Sequence, residues 1–141
     1  MKLSEHVYQL TGKGFGINSN IYGINTEKGI VIIDSGYAEK QFQRVEETLK
    51  YWGFSMENVK DVILTHCHFD HVGNAHKFKN LGKRILMGEK DISAVETGNS
   101  YVIEKLFRTP YTPFKVDVAL KEGDILDYGD VKLKVIDQEG H

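Results

Sequence analysis

Along the first half of this chain the apolar residues change rhythm, and each rhythm predicts a different element. Residues 7–10, Val-Tyr-Gln-Leu, read as a short strand, and the glycine-rich stretch 12–14 reads as a turn. Residues 20–24 and 30–33 flank Thr26-Glu27-Lys28-Gly29, which has the make-up of a hairpin turn. Residues 30–33, Ile-Val-Ile-Ile, are apolar at every position, so both faces of that strand should be buried. Ala38, Phe42, Val45, Leu49 and Trp52 then recur at spacings of four, three, four and three, one helical stripe with Gly53 as its stop. Val62-Ile63-Leu64 is unbroken again. Strand, helix-length crossover and second buried strand make a βαβ unit.

The second half is less regular. Residues 74–81 read as a short helix closed by Gly82, residues 84–87 as a strand, and residues 91–107 as a helix interrupted near Gly98. Both prolines, Pro110 and Pro113, fall in a loop over 109–113. The last thirty residues predict an antiparallel arrangement of three strands, 116–118, 124–126 and 131–135, the final one alternating as if one face were wet. No repeat, low-complexity segment or linker divides the chain. With 141 residues and 40% hydrophobic content, the expectation is one α/β domain with a core of its own.

Composition narrows the picture by exclusion. The 18 basic and 20 acidic residues give a formal charge of −2 with no basic block, which argues against a nucleic acid or an anionic membrane as partner. No apolar run approaches the length of a membrane span, and the first residues turn polar at once, so no secretory leader is expected. The single cysteine, Cys67, excludes an internal disulfide and fits a reducing cytoplasm.

The chemistry gathers in His66-Cys67-His68-Phe69-Asp70-His71, which starts two residues after a buried strand. The carboxyl edge of such a strand is where α/β proteins collect ligands. In extended chain, residues two apart share a side, so His66 and His68 can face one ion. Asp70 shares that parity if the segment stays extended, and His71 could serve the same or an adjacent ion once the chain turns. Imidazole and carboxylate suit Zn²⁺, with iron or manganese as alternatives. With six histidines and nine aspartates in 141 residues, His-x-His-x-Asp-His arises by chance about once in a thousand such chains.

Thr65-His66-Cys67-His68-Phe69-Asp70-His71-Val72-Gly73-Asn74 resembles the THxHxDHxG signature of the metallo-β-lactamase superfamily. Residues 29–36, ending Asp34-Ser35-Gly36, are similar to the early strand of that family, and the final Gly140-His141 resembles its later "GH" turn. The resemblance implies that His66, His68 and His141 bind a first metal and that Asp70 and His71 contribute to a second. It implies a hydrolase in which metal-activated water attacks an ester- or thioester-like bond, with Asp70 a candidate proton shuttle. Asp34 would orient the cluster loop from behind, or alternatively cap the helix that follows. The family's αββα sandwich continues past the third histidine with a further aspartate and histidine, and neither is present here. The expectation is therefore a single incomplete domain over 1–141, the amino-terminal half of that sandwich, left by truncation, proteolysis or a disrupted gene. One apolar sheet face would lack its partner, which predicts a homo-oligomer covering it.

Other residues carry less. Cys67 has the opposite parity to its neighbours and reads as a small buried residue rather than a ligand or nucleophile. His6 and His76 suit surface or capping roles. Phe107, Tyr111 and Phe114 belong by default to the core, though they could line a pocket for a small-molecule substrate. Gly12, Gly14 and Gly16 alternate with no helix after them, which argues against a phosphate loop, and Asn18 and Asn20 suit a turn. Within the resemblance, a zinc-dependent thioester hydrolase of the glyoxalase II kind leads, ahead of a lactonase or phosphodiesterase. A metal-binding but inactive domain acting through association is the alternative of a different class, and redox or oxygen chemistry on iron comes last.

Overall fold

Residues 30–33 are apolar on both sides because the strand they form lies in the middle of a sheet with helices on one face and a partial cover on the other, which leaves Ile33 half-buried. The computed structural model describes residues 1–12, 19–98 and 110–140. Six strands lie in sequential order: β1 (Val7–Thr11), β2 (Ile21–Thr26), β3 (Gly29–Ile33), β4 (Val59–Leu64), β5 (Arg84–Gly88) and β6 (Val118–Leu120). The first three pair antiparallel through the predicted hairpin, and β3 to β6 run parallel. Gly29, at φ +118°, closes the hairpin in a conformation that favours glycine.

The helices are α1 (Glu39–Tyr51), α2 (Phe69–Val72), α3 (Ala75–Asn80) and α4 (Ile92–Thr97). The stripe read from the sequence is the buried one: Val45 and Leu49 pack with Ile30, Ile32, Val62, Leu64, Ile85 and Met87 in one core, Phe42 and Trp52 lie against it, and Gly53 ends α1 at φ +83°. Phe69, Val72, Phe78 and Val95 bring the other three helices onto the same core. No helix of the described residues is long and apolar enough to cross a membrane.

The last thirty residues depart from the antiparallel expectation. Val118–Leu120 does not join the other two strands; it adds to β5 in parallel register, Leu86 opposite Val118 and Gly88 opposite Leu120. A three-residue strand carries too short a pattern to name its partner. Its placement comes from Asp117, whose backbone N–H donates to Ile85 O at 2.8 Å and whose carboxylate accepts the Ile85 N–H at 2.7 Å. β7 (Ile125–Asp127) and β8 (Lys132–Lys134) do pair antiparallel, as a separate two-stranded sheet. The carboxyl part of the helix expected over 91–107 lies outside the described residues.

That small sheet meets the face of the large sheet turned away from the helices. Asp61 is fully buried there, held by Arg84 through two bonds of 2.9 and 2.7 Å and by the Tyr128 hydroxyl at 2.7 Å. Burial first, then the Asp61 carboxylate, pushes the Tyr128 phenol well above its ordinary value. Asp130 accepts the Glu27 N–H at 2.8 Å and so ties the β7–β8 turn to the β2–β3 hairpin. The expected open face is thus partly covered, while Ile33 and Ile63, near the carboxyl ends of β3 and β4, and Tyr22 opposite Ile33 remain half-buried.

Removing the arginine leaves a buried carboxylate with one neutral donor. Arg84→Met is expected to lower unfolding free energy by about 3 kcal/mol, and Tyr128→Phe by about 1–2 kcal/mol. Urea denaturation measures both; two variants as stable as the wild type would show that the cluster does not hold the sheets together.

Candidate metal centre

The cluster occupies the loop that leaves the carboxyl end of β4, next to the chain that leaves β3. The extended conformation lasts only to His68, at φ −65° and ψ 143°, where α2 begins. Asp70 therefore does not owe its position to extended parity, as the sequence pattern suggested. A single helical turn carries Asp70 and His71 round to the side already occupied by the two earlier imidazoles. Phe69 drives that turn inward: it is 1% exposed and its ring packs 5.0 Å from Tyr37. Gly73 allows the close approach, since a Cβ there would stand 2.5 Å from Tyr37 Cβ.

The rings converge. His66 lies 4.7 Å from His68 and 4.1 Å from His71, centroid to centroid, and His71 Nε2 is 3.4 Å from Asp70 Oδ2. The other nitrogen, His71 Nδ1, donates to Asp34 Oδ2 at 2.8 Å. With the proton on Nδ1, Nε2 turns a lone pair toward a carboxylate, and a cation between them, a proton or a metal ion, relieves the repulsion. The donor set fits a divalent metal in this respect. Among the described residues no group of three or more His, Cys, Asp or Glu side chains is arranged to hold an ion as it stands. The rings are nearer to one another than the roughly 5 Å between two imidazoles on one tetrahedral ion.

Asp34 organises this loop. Its carboxylate accepts the Thr65 N–H at 2.8 Å and the Thr65 hydroxyl at 2.9–3.0 Å, besides the His71 ring. The alternative of a helix cap is not realised: α1 begins after Ala38, four residues on. Asp34 has φ +63°, the only non-glycine in the left-handed region among the described residues. Ser35 and Ser19, which the sequence pattern did not single out, grip α2 as well. Ser35 donates from its hydroxyl (2.7 Å) and its amide (2.8 Å) to His71 O, and the Ser19 hydroxyl donates to Asp70 O. Asn74 N–H reaches Gly36 O at 2.8 Å. The adjacency of Asp34, Ser35 and Gly36 at a strand end was the available signal.

Cys67 is buried and faces away from this side, and burial, followed by the charge and hydrogen bond of Asp91, pushes its thiol up to about 11. Tyr111 and Phe114 pack in and against the core; Phe107, Asn18, Gly14 and Gly16 lie outside the described residues. His6 bonds Asn25 O and His76 bonds Gly73 O, both local roles. His141 also lies outside the described residues. The chain just before it is tethered: Lys90 pairs with Asp137 at 2.9 Å and with Glu139.

Residues 14–141 match the sequence profile of the Metallo-beta-lactamase superfamily. The chain belongs to that superfamily. It is 28% identical over 131 residues to a probable metallo-hydrolase of Methanocaldococcus jannaschii, covering 91% of this chain and 60% of that protein. A type 2 metallo-beta-lactamase of Bacillus cereus is 32% identical over 89 residues, 57% of this chain and 32% of its own. The fold superposes on a subclass B3 metallo-beta-lactamase of Bradyrhizobium japonicum with a TM-score of 0.83 and 27% identity, over 96% of this chain and 50% of that one. The chain therefore spans about half the length of the superfamily members it matches in structure.

The site has a pH signature of its own. Burial draws the His71 imidazole down, but the Asp34 hydrogen bond and charge, with Asp70, carry it above the ordinary 6.5. A histidine raised by folding stabilises the fold fully below its unfolded value and loses that contribution as pH climbs through the folded one. Metal-free protein is expected to lose stability as pH rises across that interval, and Asp34→Asn to flatten the slope. Chemical denaturation over a pH series, with the His71 ring followed by NMR, checks both.

Proposed function

We propose that this chain carries the principal metal-binding half of a metal-dependent hydrolase acting on a small ester-like substrate, with a thioester of the glyoxalase II kind as first choice. The observation that carries the reading is the convergence of His66, His68, His71 and Asp70 on one side of a strand-end loop, with His71 held by the buried carboxylate of Asp34. His66, His68 and His141 would hold a first zinc ion, and Asp70 and His71 would contribute to a second; iron or manganese suits the same donors. The tether of residues 137–139 to Lys90, one residue from the Asp91 that bonds the cluster loop, supports the inclusion of His141. A bound divalent ion supplies Lewis acidity and brings the pKa of water near 7.

The chain's own groups have distinct tasks in this scheme. Asp34 fixes the His71 tautomer so that Nε2 faces the centre. Asp70, 20% exposed in its side chain and in contact with His71, is placed to carry a proton to the leaving group. The formal charge of −2 favours a small substrate over nucleic acid, as in the sequence reading, and the lone Cys67 suits a cytoplasmic setting.

A second reading has its own observation. Tyr22, Ile33 and Ile63 leave a half-buried apolar strip on the sheet face beside the β7–β8 pair. A metal-binding but inactive domain that self-associates over this strip accounts for it without catalysis.

Zinc content and turnover separate the readings. The first expects zinc uptake by the 141-residue chain and hydrolysis of a thioester in a panel with a lactone, a β-lactam and a phosphodiester. Chelation abolishes turnover, and His68→Ala lowers it by roughly a thousandfold. Zinc uptake without turnover, together with dimers in analytical ultracentrifugation, supports the second. Absence of zinc uptake removes both.

A further inference from the structure

We propose that Asp91 is a positioning residue that sets the spacing of His66 and His68 by holding the peptide between them. The proposal rests on the metal-centre reading above. The Cys67 N–H, midway between the two imidazoles, donates to Asp91 Oδ2 at 2.9 Å. β4 has ended three residues earlier, so no strand remains to accept this amide, and a buried amide needs a partner.

Three features make the contact more than incidental. β4 and β5 are parallel neighbours, Leu64 opposite Met87, so the chain leaving each of them emerges at the same sheet edge. Asp91 stands three residues past the end of β5, at the corner where that chain enters α4. It is also the N-cap residue of α4, where an aspartate ordinarily bonds the amides of its own first turn. It makes no such bond; its carboxylate is committed to the cluster loop instead. Finally, Cys67 is buried, which in extended chain turns its two histidine neighbours to the opposite side together. Pinning the Cys67 amide therefore fixes the base from which both imidazoles project. Asp34 does the same for His71 from the other flank, so the loop is held at two points by carboxylates from two different strand ends.

The test uses zinc affinity of the full chain, measured by competition with a chromophoric chelator, together with the absorption spectrum of the cobalt-substituted protein. Asp91→Ala is expected to weaken zinc binding roughly 10- to 100-fold and to perturb the cobalt spectrum. Asp91→Asn, whose side-chain carbonyl still accepts the amide, is expected to return within a few-fold of wild type. Equal affinity in wild type and Asp91→Ala overturns the proposal while leaving the metal centre intact, as does an equal loss in Asp91→Ala and Asp91→Asn. A wild-type chain that takes up no zinc overturns the metal-centre reading itself. Amide exchange gives a measurement independent of the alanine variant's stability: the Cys67 amide should exchange slowly in wild type and in Asp91→Asn. Rapid exchange in folded wild type overturns the proposal.

Discussion

The carboxylate of Asp34 is the constraint on which the site depends. It is 5% exposed and accepts from the amide and hydroxyl of Thr65 and from the ring of His71. Those partners lie at the two ends of the cluster, so one buried charge decides both where the loop starts and how its last histidine is oriented. The backbone pays a strain of about 1–3 kcal/mol for the left-handed φ that aims the carboxylate inward. Each hydrogen bond to a buried charge contributes about 1.5–3 kcal/mol, and several of them offset that strain. The same carboxylate holds the His71 imidazole protonated beyond its ordinary range when no metal is present, which links the site's geometry to its electrostatics.

The parallel half of the sheet explains why such partners can meet. β3, β4 and β5 all end at one edge, and each end delivers one component: Asp34 to Gly36 after β3, the histidine cluster after β4, Asp91 after β5. Toward the other end of the strands lies a second buried carboxylate, Asp61, whose partners Arg84 and Tyr128 hold the small sheet against the large one. Two fully or nearly buried carboxylates thus serve different ends of the same sheet. Asp61 is saturated by a guanidinium and a phenol and has no opening to solvent; Asp34 faces the exposed Thr65 and the half-buried His71.

Much of this was written in local pattern. The unbroken Ile30 to Ile33 run, the spacing from Ala38 to Trp52 and the stop at Gly53 define strand, helix and turn because each depends on residues only a few positions apart. The motif from His66 to His71 was visible for the same reason, and it carried the family relationship that the sequence profile then showed. Patterns of three residues were too short: Val118–Leu120 could have paired with either neighbour, and its parallel docking on β5 rests on Asp117 bonds to Ile85 across 32 positions.

By itself, then, the sequence determined the order of elements apart from the short turn of α2, the buried stripe and the cluster of metal-ligand residue types. The tertiary structure alone decided that Asp70 arrives through a helical turn rather than extended parity, that Asp34 orients His71 rather than capping α1, and that Ser19, Ser35 and Asp91 hold the loop. Those outcomes rest on single hydrogen bonds between residues 24 to 51 positions apart. No periodicity encodes such a bond; it exists only once packing of the sheet brings the strand ends side by side.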